Sequence, residues 1–182
     1  MKKTIMVLSL LSVVTFAVAQ KKKTTTSATI AFDASTPKDA LPKAENKTAI
    51  ASLDSKTGAV AFEALVKSFS FSNPMMQEHF NSEKWMDSEK NPKATFKGKL
   101  VDLTTVNFKK DGTYTADVTG DLMLHGVTKS VTASTKITVL GKMVSSTANF
   151  SVKLADYGIT SPAIAGGKVA EEAKIMVTAS FK

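Results

Sequence analysis

Apolar and polar side chains alternate with period two through most of this 182-residue chain, in short runs cut by turn residues, and that pattern limits what it can fold into. Ala28, Ile30 and Phe32 alternate with Ser27, Thr29 and Ala31; Val60, Phe62, Ala64 and Val66 alternate with Ala61, Glu63 and Leu65. After Val66 the phase slips, making Phe69 and Phe71 the apolar positions, and the slip predicts a β-bulge near Lys67 and Ser68. Further strands are expected at Ala94, Phe96, Gly98 and Leu100, at Val106 and Phe108, and at Tyr114, Ala116, Val118, Gly120, Leu122 and Leu124. The last three carry Val127, Val131, Ala133, Ile137 and Val139, then Val144, Ala148, Phe150, Val152 and Leu154, then Ile175, Val177, Ala179 and Phe181. A strand over 48–53 fits with either face inward, because Ala49, Ile50, Ala51 and Leu53 straddle both.

Tight joins at Lys56-Thr57-Gly58, Lys110-Asp111-Gly112, His125-Gly126 and Gly141-Lys142 make sequential strands antiparallel neighbours. Eight or nine such strands either stack as a sandwich or close into a barrel, and periodicity does not choose between them. One segment reads as helix: Asn73 supplies a cap, Pro74 suits the first turn, and Met76, His79 and Phe80 share a side. Residues 81–92, with Trp85 and Met86 among many charges, read as an irregular crossing loop, and 155–172 as a second long loop.

Residues 1–19 read as a secretory signal, with Lys2 and Lys3, an apolar stretch, and Ala17-Val18-Ala19 as a small-x-small cleavage site. Cleavage after Ala19 leaves one exported domain over 20–182. No later apolar run reaches the ~18 residues a membrane-spanning helix needs. There is no cysteine, so disulfides, thiol catalysis and thiolate metal sites are excluded. The formal charge is +8, and every basic residue is Lys. Without Arg, the bidentate fork that grips guanine edges and phosphates is missing, which argues against a nucleic-acid partner.

No catalytic constellation stands out. His79 and His125 belong to no metal motif and suit capping or hydrogen bonding, so no metal or other cofactor is expected. Asp117 and Asp121 fall on the polar side of their strand. The inward positions mix large residues with small ones, namely Ala28, Ala64, Ala94, Gly98, Ala116, Gly120, Ala133, Ala148 and Ala179. In a small barrel this mixture suits either a ligand cavity or a filled, tapering core.

The stretches Ser68-Phe-Ser-Phe71, Met75-Met-Gln-Glu-His-Phe80, Pro92-Lys-Ala-Thr-Phe-Lys-Gly98, Gly120-Asp-Leu-Met-Leu-His-Gly-Val-Thr-Lys129 and Leu154-Ala-Asp-Tyr-Gly-Ile159 resemble, in order and spacing, the YceI-like family. The resemblance covers residues from about Gly58 to Lys182. It implies an all-β fold, an antiparallel lipocalin-like β-barrel of about eight strands with one short helix near the mouth. It also implies a non-catalytic exported protein whose apolar tunnel stores or transports an isoprenoid or other long-chain amphipathic lipid. On this chain the matching motifs place Phe69, Phe71, Met76, Phe80, Phe96, Leu122 and Leu124 where they line or close the barrel, and Val118 stands on the same wall as Leu122 and Leu124. The opening His- and Gly-containing strand pair of many relatives is absent here. A homodimer is left open, and the alternative function is an envelope protein-interaction module with a filled core.

Overall fold

Three of the four turn signals are met by tight hairpins in the computed structural model, which describes residues 22–182, whereas Lys110-Asp111-Gly112 ends a longer connection over 101–111. The signal segment and its cleavage site lie outside the described residues. The strands are β1 (Lys22–Asp33), β2 (Lys43–Asp54), β3 (Ala59–Leu65), β4 (Ser70–Phe71), β5 (Lys93–Leu100), β6 (Gly112–Leu124), β7 (Val127–Leu140), β8 (Met143–Lys153) and β9 (Glu172–Phe181). His125 (φ 50°) and Gly126 (φ 74°) form the β6–β7 turn with both residues left-handed, as a type I′ hairpin requires. Gly141 (φ 58°) opens the β7–β8 turn.

Every neighbouring pair is antiparallel, in the order β1-β9-β8-β7-β6-β5-β3-β2. β1 then pairs with β2 as well, so eight strands close on themselves, and β4 is a short extra strand on β2. This closed barrel resolves the choice the periodicity left open. Closure comes from β1 itself, which gives one side to β2 and, over Thr29 to Asp33, the other to β9. Two register shifts in the β1–β2 ladder, around Ala28, let it turn between them. At one shift sits Asn46, fully buried: its amide donates to the Leu65 carbonyl (3.1 Å), and its oxygen accepts from the Thr48 N–H (2.9 Å) and hydroxyl (3.2 Å).

Four local expectations are corrected. The phase slip after Val66 is a turn of 3-10 helix, Val66–Ser68, rather than a bulge. Val106 and Phe108 belong to the β5–β6 connection and pack against one end of the core instead of forming a strand. The strand at 48–53 grows to the whole of β2, with Ala49, Ala51 and Leu53 inward and Ile50 51% exposed. The long loop before β9 holds a 3-10 turn, Leu154–Tyr157, and a short helix α2 (Pro162–Ala165).

The predicted helix is α1 (Pro74–Asn81), capped by the Asn73 side chain accepting from the Met75 N–H at 2.9 Å. α1, the 82–92 segment, the β6–β7 turn and α2 all gather at one end of the barrel, whereas the β2–β3 and β7–β8 turns, the β5–β6 connection, Lys22 and Lys182 gather at the other. Among the described residues no helix is long and apolar enough to cross a membrane.

Candidate functional site

Some inward-facing side chains on β3, β5, β6 and β8 are only half-buried, although they point away from solvent: Phe62, Ala94, Phe96, Leu122, Ala148 and Phe150 all face an internal void. The cavity runs from Leu53, Leu100 and Phe181 toward the end opposite α1 to Leu124, Leu154 and Trp85 at the α1 end. Its volume is about 150 Å³. No charged side chain lines it, and apart from the Trp85 indole the wall's polar side chains are Thr95, Thr135 and Ser146. Thr135 turns its hydroxyl back to the Ala133 carbonyl at 3.3 Å. A molecule inside therefore meets hydrocarbon almost everywhere, and no acid, base or nucleophile comparable to an activated catalytic group.

Phe80 closes the upper end. Its ring packs against Phe71 (4.9 Å between centroids), Phe69 (5.8 Å) and Phe32 (6.1 Å), and these tilted contacts moor α1 across the barrel. Beyond it the 82–92 segment is wound tightly by its own backbone: Met86 donates to the Phe80 carbonyl (3.1 Å), Ser88 to Asn81 (3.2 Å) and Asn91 to Asp87 (2.7 Å). That winding turns Met86 and Trp85 inward as a lid. Lys90 bridges Asp87 (3.1 Å) and Glu83 (3.3 Å) on its outer side, and these two carboxylates, Asp87 foremost, raise the lysine's pKa.

Of the residues singled out from the sequence, Phe69, Phe80, Phe96, Val118, Leu122 and Leu124 line this one cavity. Phe71 and Met76 do not: Phe71 stands behind Phe80 as its packing partner, and Met76 lies half-buried on α1. Of the small inward residues, Ala64, Ala94, Ala133 and Ala148 border the void. Gly98 and Gly120 do not, because they face each other across β5 and β6 so closely that a Cβ on Gly120 would stand 2.3 Å from the Gly98 Cα. Their smallness serves strand approach rather than cavity space.

Sequence reasoning missed Trp85, Met86 and Ile159 as wall residues, since all three sit in segments without strand periodicity. It also missed that the fold brings His79 and His125 to one surface groove, with Glu83, Lys84 and Ser161 around them and Trp85 as its floor. His125 Nδ1 lies 2.9 Å from the Tyr157 carbonyl, so this nitrogen carries the proton and donates, leaving Nε2 for other partners. Burial, and then the charge of Asp156, push the Tyr157 phenol up. Among the described residues no three His, Asp or Glu side chains cluster as a metal-holding set.

The model of the YceI-like domain matches residues 11–181. The chain belongs to the YceI-like family. Among curated YceI-like relatives, a UPF0312 protein of Pseudomonas putida (strain W619) is 37% identical over 91 residues, 47% of this chain and 44% of the relative. Protein YceI of Escherichia coli O157:H7 is 36% identical over 88 residues, covering 45% and 42%. The chain thus spans under half the length of the curated relatives it matches. In three dimensions it is similar to a polyisoprenoid binding domain from Saccharophagus degradans implicated in plant cell wall breakdown (TM-score 0.73, 14% identity, 90% of this chain and 98% of that one). Burkholderia cenocepacia BcnA is similar too (TM-score 0.70, 18% identity, 84% and 95%). At such identities these likenesses establish the shared barrel fold.

Proposed function

We propose that this protein is a non-catalytic carrier that holds a long apolar chain, isoprenoid-like and ending in a polar head, inside its barrel for storage or transport. The observation that carries the reading is the uncharged, almost wholly hydrocarbon cavity running from end to end of the barrel. Its about 150 Å³ is the volume of an engineered apolar cavity that takes up one benzene ring. A longer chain is admitted as rings on the wall turn aside, chiefly Phe80 and Phe96. Each methylene withdrawn from water contributes about 0.8 kcal/mol, so a dozen give roughly 10 kcal/mol before ordering costs, ample for micromolar or tighter retention. Trp85 walls both the cavity and the groove of His79 and His125, which makes that groove the seat of the head. Lys84 offers an anionic head charge and hydrogen bonds, and His125 Nε2 accepts from a head hydroxyl, but without Arg they select weakly among heads.

The structural likeness to a polyisoprenoid binding domain supports this class of ligand. The filled-core alternative loses ground to the void. Export through cleavage after Ala19, to a periplasmic site of action, completes the proposal. Organic extraction of natively purified protein followed by mass spectrometry tests it: a stoichiometric long-chain lipid is expected, together with an intact mass beginning at Gln20. Protein that carries no lipid and takes up no fluorescent isoprenoid analogue would refute the carrier reading, and a mass retaining residues 1–19 would refute the cleavage.

A further inference from the structure

The end of the barrel opposite α1 carries a different surface. All six ion pairs among the described residues lie toward the α1 end or on the upper halves of the strands. At the opposite end the β7–β8 hairpin tip exposes Leu140 (60%) and Met143 (41%), which face each other across the turn. Lysines ring that pair. Lys142 sits in the turn, Lys23 of β1 donates to the Lys142 carbonyl, and Lys182 follows Phe181, the register partner of Val144 beside Met143. Lys109 and Lys110 stand beside Asp111, whose carboxylate accepts from the Gly141 N–H at 2.8 Å. Asp111 is committed to holding the loop against the tip, and none of these five lysines has a carboxylate partner among the described residues.

An exposed apolar pair inside a ring of unpaired lysines matches the chemistry of an anionic bilayer surface, where hydrocarbon enters the headgroup boundary and ammonium groups meet lipid phosphates. We propose that this end of the barrel docks on anionic lipid membranes, with Leu140 and Met143 inserted and the α1 end directed away. The inference rests on charge and exposure at the hairpin tip and stands whether or not the cavity carries lipid.

Because the chain lacks cysteine, single labels are clean. The full-length chain, as Leu140→Cys and separately as Leu65→Cys at the α1 end, is labelled with a polarity-sensitive fluorophore. Each is mixed with phosphatidylcholine vesicles and with vesicles containing about 30% phosphatidylglycerol. The Leu140→Cys label is expected to brighten and shift to the blue on the anionic vesicles alone, and to revert in about 0.5 M NaCl, while the Leu65→Cys label stays unchanged. Lys109→Gln with Lys110→Gln, at exposed positions that leave the circular dichroism unaltered, should weaken the charge-dependent binding roughly thirtyfold, since each lysine near such a surface is worth about fivefold. Equal responses on neutral and anionic vesicles, a response at Leu65→Cys instead, or undiminished binding by the double-Gln variant would each overturn the proposal.

Discussion

Ala148→Leu separates a barrel with a void from a packed one by the sign of its effect. Ala148 lies on β8 opposite Thr135 and Val177 and borders the cavity. Leucine adds three carbons. Placed in an existing void they gain about 0.8 kcal/mol each from burial, about 2.4 kcal/mol together, and lose roughly 0.5–1 kcal/mol of rotamer entropy. The net is a stabilisation of about 1.5 kcal/mol, or a rise in Tm of roughly 3–6 °C for a domain of this size. In a filled core the same change overpacks and costs about 1–3 kcal/mol, lowering Tm instead. Adding Ala133→Leu, whose residue borders the same void, displaces six carbons' worth of ligand contact and should weaken uptake of a fluorescent isoprenoid analogue by about three orders of magnitude. The measurement is calorimetric melting of parent and variants refolded from denaturant, so that retained lipid does not raise the parent's midpoint. A lower Tm for Ala148→Leu, or a double variant that melts like the parent and binds like it, would show that the void is not where ligand sits.

Gly120→Ala should be costly although its backbone is not left-handed, because the new Cβ meets only backbone, 2.3 Å from Gly98 Cα and 2.4 Å from the Lys97 carbonyl. We expect about 3 kcal/mol or more in denaturant unfolding, and a loss below 1 kcal/mol would mean that β5 and β6 lie farther apart. Asn46→Ala removes a fully buried amide and the part-buried hydrogen bonds it makes to the Leu65 carbonyl and Thr48 N–H, and should cost roughly 1–3 kcal/mol, again by denaturant unfolding, whereas a neutral result would mean that water replaces the amide. On the acid side, Asp54 is held low by the Lys56 N–H and then Thr57, and Asp102 by the Thr104 hydroxyl and N–H. A lowered folded-state pKa contributes stability that is complete above the unfolded value near 3.9 and is lost as pH falls through the folded value. Tm should therefore hold level from about pH 8 to pH 5 and drop below about pH 4, and a decline already complete at pH 5 would contradict this.

Local codes carried much of this structure in the sequence itself. Period-two runs ending at His125-Gly126 and Gly141-Lys142 specify hairpins because turn and strand are both short-range, and Asn73-Pro74 specifies a helix start for the same reason. What stayed illegible depends on distant chain. Val106 and Phe108 alternate like a strand but have no neighbour to pair with, so they cover the end of the core. Gly98 and Gly120 looked like cavity space until register set them against each other. Trp85 and Met86 carry no periodic signal, and only the winding of 82–92 turns them inward. The meeting of His79 and His125 needs α1 folded over the β6–β7 turn, a fact of tertiary structure alone.

Because β1 pairs with β9, Thr29 against Thr178 and Asp33 against Lys174, the barrel is sealed by a contact between positions about 145 residues apart. Loop entropy makes such a contact late and slow, so most of the chain must be present and ordered before the seam can close. Until then β1 and β9 each expose an unpaired edge, and the interior lies open along its full length. That interval is when a bulky, water-insoluble molecule could be enclosed without threading past Phe80, so loading during folding and loading afterwards are kinetically distinct routes into the same protein.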